Sequence, residues 1–530
     1  MNNIYDQVPY PSLSYTKSHP DRLATVATLL GAAPKPITCC RVLELGCASG
    51  GNLIPMAYGL PESEFVGVDY SATQIDEGRQ VVRALGLSNI RFQCADILEL
   101  ESGLGSFDYI IAHGVFSWVP RPVQDKVFEL CAQNLTSNGV AYVSYNTYPG
   151  WRLIGVIRDM MLYHTRHIAN PQEKVAQARG LLDFLAEAIP AESGAYGSFI
   201  NMYAQFLQGE LKGAGVRGDA FLLHDELEDV NEPIYFHRFV ERAAGYGLKY
   251  LGEARFQEMT ESRFPQEVSE TLGRMSQDIV EFEQYMDFLK NRMFRQTLLC
   301  HQGVTTSRTL NPALLTKFYA ASHAQSMPDD VDLGSSEVLK FQASDGAVLA
   351  IDHPVTKAAF GYLGEVWPRS VSFGVLLDTA RDRLRSNGRP VRDLELDAQV
   401  LAANLFRAYS YSEQLVELRV YAPPIVLQAG ERPEASPVAR FYAQVRNSVT
   451  NLRHERVTLD ALDRYLLPHL DGRHTVSQLV DLLVDGPVAE GVLQIKQEGA
   501  AGDAGDARAV LAEAVVKRLD WLAHAALLIA

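Results

Sequence analysis

The run Arg41-Val42-Leu43-Glu44-Leu45-Gly46-Cys47-Ala48-Ser49-Gly50-Gly51-Asn52 (RVLELGCASGGN) decides the fold. Aliphatic residues around a single acid predict a buried strand from Arg41 to Leu45, and the Gly-rich turn after it opens a helical pattern near Asn52. Roughly 20 residues beyond the turn, FVGVDYS predicts a second buried strand ending in Asp69. IRFQCADIL predicts a third, ending near Asp96, FDYIIAHGV a fourth from Phe107 to Ala112, and GVAYVSY a fifth. Helical patterns over 71–85 and 122–135 separate them. Strands alternating with helices of this length predict an α/β, doubly wound parallel sheet with right-handed crossovers.

In such a sheet ligands gather at the carboxyl ends of the strands. Small residues after the first strand let backbone approach a ligand, Asp69 is placed to accept two ribose hydroxyls, and Asp96 with Ile97 suits an adenine. A nicotinamide cofactor calls for G-x-G-x-x-G, whereas the order here is Gly46-Cys47-Ala48-Ser49-Gly50-Gly51. Glu44, two residues before the first glycine, would repel a diphosphate and suits a cationic amino-acid end. The four strand ends together therefore predict S-adenosylmethionine as cofactor.

With these residues in view, the chain resembles the class I S-adenosylmethionine-dependent methyltransferases. VLELGCASGGN is similar to their first motif, Asp69 to their ribose acid and Ala95-Asp96-Ile97 to their adenine contact, while Ala48 departs from a second glycine. YDQVPYPSLSYTKSHPDRLATVATLLG, HGVFSWVP, SYNTYPGW, LLHDELEDVNEPIYFHRF and FRQTLL narrow the resemblance to members that carry a methyltransferase regulatory domain, including the rickettsial-type protein lysine methyltransferases. The likeness is good over about 1–305 and loose beyond. It implies a lysine-bearing surface protein as substrate and a homodimer as assembly.

The composition is that expected of a soluble globular protein. The 530 residues are 47% hydrophobic and 21% charged, with a net charge of −16. That balance argues against nucleic acid as a partner. The beginning of the chain has no basic and apolar signal pattern and no apolar run suits a membrane, so a cytoplasmic location is expected. Cys39, Cys40, Cys47, Cys94, Cys131 and Cys300 show no CxxC spacing, so neither a disulfide framework nor a metal site is expected.

The expected organisation has five parts. Residues 1–151 form the cofactor-binding domain with an N-terminal lid bearing Tyr5, Tyr10 and Tyr15. Residues 152–230 form a helical insertion that dimerises. Residues 231–305 complete the sheet: a helix from Pro233, a sixth strand in LKYLGEARF, helices over 265–291 and a seventh, antiparallel strand in MFRQTLLCH. Residues 306–425 and 426–530 form two mainly α units. The echo between YLGEVWPRSVSFGVLLD and YLLPHLDGRHTVSQLVDLL fits two tandem winged-helix-like units, and fits ordinary helix capping nearly as well. EGAAGDAGDARA is expected to be a linker before a last helix.

Methyl transfer needs a nucleophile in line with the sulfur–methyl bond, and a lysine must first lose its proton. Such a site calls for aromatic walls and a few polar acceptors at the ends of strands four and five. His113 and Gly114 leave strand four there. His113 is either packed with its backbone on the cofactor or a proton acceptor. Phe116 and Trp118 are either core or substrate wall. In SYNTYPGW, Asn146 is expected as a polar acceptor, Tyr148 and Trp151 as channel faces, and Pro149-Gly150 as the turn into the insertion. His113, Tyr145, Asn146, Tyr148 and Trp151 are thus the expected catalytic set. Glu44, Gly46, Cys47, Ala48, Gly50, Asn52, Asp69, Tyr70, Asp96, Ile97, His113, Gly114 and Ser117 are the expected cofactor contacts. Tyr10, Phe116, Trp118, His224 and Asp225 are the expected substrate contacts. HDELEDVN reads either as a solvated acidic turn or as an acidic mouth for lysine. The sequence leaves open a small-molecule N- or O-methyltransferase and a non-catalytic cofactor-binding regulator.

Overall fold

The computed structural model describes residues 10–100, 102–214, 222–262, 264–309, 311–327, 337–388, 393–493 and 504–530. Tyr5 lies outside the described residues.

Seven strands form the central sheet: β1 (Arg41–Leu45), β2 (Glu64–Asp69), β3 (Ile90–Cys94), β4 (Phe107–Ala112), β5 (Leu135–Asn146), β6 (Leu248–Glu253) and β7 (Phe294–His301). Their order is β3-β2-β1-β4-β5-β7-β6. β7 runs antiparallel to both neighbours and the other pairings are parallel. The order reverses between β1 and β4, and this is where a doubly wound sheet opens its ligand crevice.

Helix α1 (Pro20–Leu29) precedes β1. α2 (Leu53–Gly59), α3 (Ala72–Leu85) and α4 (Arg121–Asn134) are the crossovers. α3 starts where the Ser71 side chain accepts the Gln74 N–H and stops at Gly86 in the left-handed region. Both faces of β1, β2, β4 and β5 are buried, which accounts for their nearly unbroken apolar sequences.

The insertion consists of α5 (Trp151–Thr165), α6 (Pro171–Ala188) and α7 (Ala195–Ala214), around a core of its own that includes Ile157, Leu182 and Leu207. The turn into it needs Gly150, where a Cβ would sit 2.6 Å from the carbonyl oxygens of Asn291 and Arg292. α8 (Phe236–Gly245) begins three residues later than Pro233, with Tyr235 as its N-cap, and α9 (Gln266–Met275) and α10 (Ile279–Lys290) lead into β7.

Among the described residues of 306–425, the buried apolar side chains join the core of the sheet. Phe318, Phe341, Phe360 and Leu418 are buried in the same cluster as Leu23, Val42 and Leu298 from α1 and the sheet. The last part does have its own core, including Tyr442, Leu467, Leu479 and Leu519. The two echoing segments are each a pair of helices around a turn, Pro354–Glu365 with Phe373–Ser386 and Ala461–Leu466 with Val476–Leu483. The last helix, Ala504–His524, starts inside the stretch read as a linker, and residues 498–503 of that stretch lie outside the described residues. Among the described residues no helix is long and apolar enough to cross a membrane, and no group of three or more His, Cys, Asp or Glu is placed to hold a metal ion.

Candidate active site

A cavity of about 520 Å³ opens at the carboxyl ends of β1, β2, β3 and β4. Its floor is the loop after β1. There Ala48 sits in the left-handed region at φ 49° and donates its N–H to Asp69 Oδ2 at 2.8 Å. Asp69 Oδ1 accepts the Ser71 N–H at 2.9 Å. The N-terminal segment crosses this loop so closely that a Cβ on Gly51 would lie 2.3 Å from the Ser12 carbonyl oxygen. Gly46, Cys47, Ala48, Asn52, Asp69, Tyr70, Asp96 and Ile97 all border the cavity, whereas Gly50 turns the chain behind it against Phe92.

Glu44 is buried, and burial pushes its carboxyl up to about 8 against the opposing hydrogen bond from Asn52. Asn52 Nδ2 donates to Glu44 Oε1 at 2.7 Å, while Glu44 Oε2 is buried with no hydrogen-bond partner. An uncompensated carboxylate oxygen beside a cavity fits a ligand that brings a cation to it.

Opposite, His113 and Gly114 follow β4. His113 Nδ1 lies 2.8 Å from the Tyr142 hydroxyl, the Tyr15 ring lies over the imidazole at 3.7 Å between centroids, and burial pushes the ring down to about 3. The imidazole is therefore neutral at ordinary pH. The helical turn Phe116–Trp118 splits HGVFSWVP: residues three apart eclipse, so Val115 and Trp118 face the cavity while Phe116 packs among Phe128, Tyr145 and Phe239. Ser117 is buried behind the wall, where its Oγ accepts the Asn146 N–H at 2.9 Å.

The end of β5 is placed differently from the sequence expectation. Segment 231–235 runs beside it, pairing Ile234 with Thr147. Asn146 Nδ2 donates to Asn231 Oδ1 at 3.1 Å, away from the cavity. Tyr145 is buried, stacked on Phe239 at 4.0 Å and 3.0 Å from the Thr297 hydroxyl. Tyr148 lies under the Arg152 guanidinium and Trp151 packs edge-on against Trp118. Phe116, Ser117, Tyr145, Asn146, Tyr148 and Trp151 thus line core and second-layer positions, because an added segment covers the strand end that the sequence left open.

The wall that β5 does not provide comes from Leu222–Glu226, a short helical turn. His224 is buried, Asp225 and Glu228 border the cavity, and Tyr10 meets both His224, ring edge to face, and Asp225, with its hydroxyl 3.4 Å from Oδ2. Burial pushes Asp225 up to about 7, against the pull of His224 and Tyr10. HDELEDVN is therefore a partly buried acidic edge of the cavity rather than a solvated turn. Sequence reading missed Ser12, Leu13, Gln74, Val115, Val119 and Val123, and had Glu228 only as a member of the acidic cluster. The valines carried a signal in their regular four-residue spacing, 115, 119 and 123.

Comparison with known proteins agrees with this geometry. A model described as "Methyltransferase domain" matches residues 38–178, "Predicted methyltransferase regulatory domain" matches 218–301, and "PKMT, C-terminal winged helix domain" matches 431–527. An uncharacterized protein of Rickettsia prowazekii is 36% identical over 507 residues, covering 94% of this chain and 88% of its own. A second from that organism is 37% identical over 247 residues, 47% of this chain and 96% of its own. The structure of PKMT2 from Rickettsia typhi, solved alone and in complex with AdoHcy, superposes with a TM-score of 0.85 at 28% identity, covering 98% of this chain and 100% of that one. One winged-helix match falls in the second of the two C-terminal units. A relative alike over nearly the whole length and three family models in chain order leave one conclusion: the chain belongs to the class I S-adenosylmethionine-dependent methyltransferases that carry a methyltransferase regulatory domain.

Proposed function

We propose that the protein methylates the side-chain amine of lysine on a protein substrate. Its likeness to PKMT2 supports this, and the observation that carries it is the acidic edge, where Asp225 and Glu228 border the same cavity as Trp118 and a neutral His113. S-Adenosylmethionine supplies an electrophilic methyl group on a sulfonium. In this reading the Glu44 oxygen that lacks a partner holds the cofactor's ammonium, Asp69 its ribose, and Asp96 with Ile97 its adenine. Tyr15 and Trp118 exclude water around the reacting amine. His113 keeps its ring uncharged beside the sulfonium, since a second cation there would oppose it. Asp225 attracts the lysine ammonium and takes its proton toward solvent, a role suited to a carboxyl held near neutrality.

The same reading includes the helical insertion as a unit of assembly. Tyr163, Phe184, Met202 and Phe206 are 69%, 62%, 60% and 54% exposed on its three helices, large apolar side chains that a second copy of the chain would cover.

The test is incubation of the full-length protein with methyl-labelled cofactor and a bacterial lysate, followed by gel separation and amino-acid analysis. Label in protein bands, recovered as methyl-lysine, is the expected result. Label confined to small molecules would replace the lysine reading by a small-molecule acceptor. Cofactor binding without any transfer would make the chain a regulator.

A further inference from the structure

Asn52 is 3% exposed, and its amide has a partner in every direction. Oδ1 accepts the Tyr15 N–H at 2.9 Å and lies 2.8 Å from His454 Nε2. Nδ2 donates to Glu44 Oε1 at 2.7 Å and to Ser18 Oγ at 2.9 Å. The Tyr15 backbone N–H can only donate, so the atom facing it is the amide oxygen and the amide has one orientation. His454 must therefore carry its proton on Nε2 and donate it to Asn52.

His454 comes from the far end of the chain. It sits between strands Ser448–Thr450 and Arg456–Thr458, inside the stretch matched by the winged-helix model. That turn does not face solvent. The His454 carbonyl accepts the Thr16 hydroxyl at 2.9 Å, Thr450 meets Ser14 at 3.0 Å, and Arg446 donates to the Ser12 carbonyl at 2.8 Å. His454 is in the left-handed region at φ 64°, a conformation that a non-glycine residue keeps only where its surroundings hold it. Burial pushes its ring down to about 3, so it carries a single proton.

We propose that His454 of the C-terminal domain is a positioning residue of the methyl-donor site, orienting Asn52 so that Glu44 offers its unpartnered oxygen to the cofactor's amino-acid end. The C-terminal domain thereby completes a site otherwise built by the sheet and the N-terminal segment. Without the His454 proton donor, Asn52 loses one of the two groups that fix its carbonyl away from Glu44. The proposal rests on the assignment of Glu44 to the cofactor's ammonium.

The experiment compares two ligands by calorimetry on the full-length protein. S-Adenosylhomocysteine has the amino-acid end, and 5′-methylthioadenosine has the same nucleoside and thioether without it. His454→Ala is expected to weaken the first about three- to tenfold, the worth of one buried hydrogen bond, and to leave the second unchanged. His454→Gln, which can present an amide N–H, is expected to recover most of the loss. Equal weakening of both ligands, or of neither, overturns the proposal. Should His454→Ala not fold, His454→Phe takes its place, keeping ring volume without the donor, with the same two outcomes. Glu44→Gln separates the two layers. If it leaves S-adenosylhomocysteine binding intact, the Glu44 assignment falls and the His454 role with it. If it weakens binding while the His454 variants do not, only the His454 role falls.

Discussion

The Ala48 N–H reaches Asp69 Oδ2 at 2.8 Å, which ties the acid ending the second strand to the turn after the first. The carboxylate is therefore a brace as well as an acceptor. In Asp69→Asn one oxygen becomes an NH₂ facing an N–H donor, Ala48 or Ser71, on a short hydrogen bond. The expected loss is about ten- to a hundredfold in affinity for S-adenosylhomocysteine, from a forfeited charge-assisted bond of about 1.5–3 kcal/mol. 5′-Methylthioadenosine should weaken equally, since it retains the ribose, and calorimetry with both ligands checks this.

Glu44 gives a pH dependence with a definite sign. Its carboxyl is raised to about 8 in the folded chain, so between the ordinary glutamate value and 8 the folded state holds a proton that the unfolded state has lost. Its contribution to stability is then present in full at low pH and lost as pH rises through 8. A cationic ligand end favours the ionised form, so S-adenosylhomocysteine affinity should rise by up to about tenfold per pH unit below 8, and Glu44→Gln should flatten that slope. Calorimetric titrations from pH 6 to 8 measure both.

Much of this arrangement was legible in the sequence because strand ends announce themselves. An acid at the end of β2 and another after β3 follow from a period that the chain keeps without interruption. The end of β5 misled for a physical reason. SYNTYPGW has the chemistry of a substrate wall, yet segment 231–235 pairs with it and buries Asn146, a contact spanning 85 residues in sequence for the Asn146–Asn231 pair. Nothing local encodes that covering. His454 is harder still, since it stands 402 residues from Asn52 and its turn resembles any short hairpin.

Arg295 on β7 is fully buried and meets Glu253, Glu283 and Asp287, from β6 and α10. Removing it takes the cation from Glu253 and leaves Glu283 and Asp287 with Arg292 alone, at 3.5 and 3.2 Å, so buried acids lose compensation. Arg295→Ala should lose about 3–5 kcal/mol of stability, read as a lower midpoint in urea unfolding, whereas Thr297→Val, which removes one hydrogen bond to Glu253 and one to the Tyr145 hydroxyl but no cation, should lose about 1–3 kcal/mol.

Trp118 borders the cavity while Tyr148 lies outside it, stacked on Arg152. Trp118→Ala should lower the methylation rate by at least about tenfold, because it opens the wall to water where a desolvated amine is needed. Tyr148→Ala should stay within about twofold, losing only an outer contact of about 0.5–1 kcal/mol. Single-turnover rates with saturating cofactor make the comparison, and equal losses would return the loop to the substrate channel.

Asp225 allows the acidic edge to be tested apart from the chemistry. Its carboxyl is raised to about 7 by burial, so it ionises across the neutral range while a free lysine, near 10.4, stays cationic. Binding of a lysine peptide to the enzyme loaded with S-adenosylhomocysteine should therefore tighten as pH rises from 6 to 8. Asp225→Asn should bind about three- to tenfold more weakly at pH 8 and show no tightening, the loss of one charged partner in a partly buried setting. Because no methyl is transferred in that complex, the slope reports attraction of the ammonium alone, measured by fluorescence anisotropy of the labelled peptide. A slope that survives in the variant would move the attracting charge to Glu228, the other acid on the same edge.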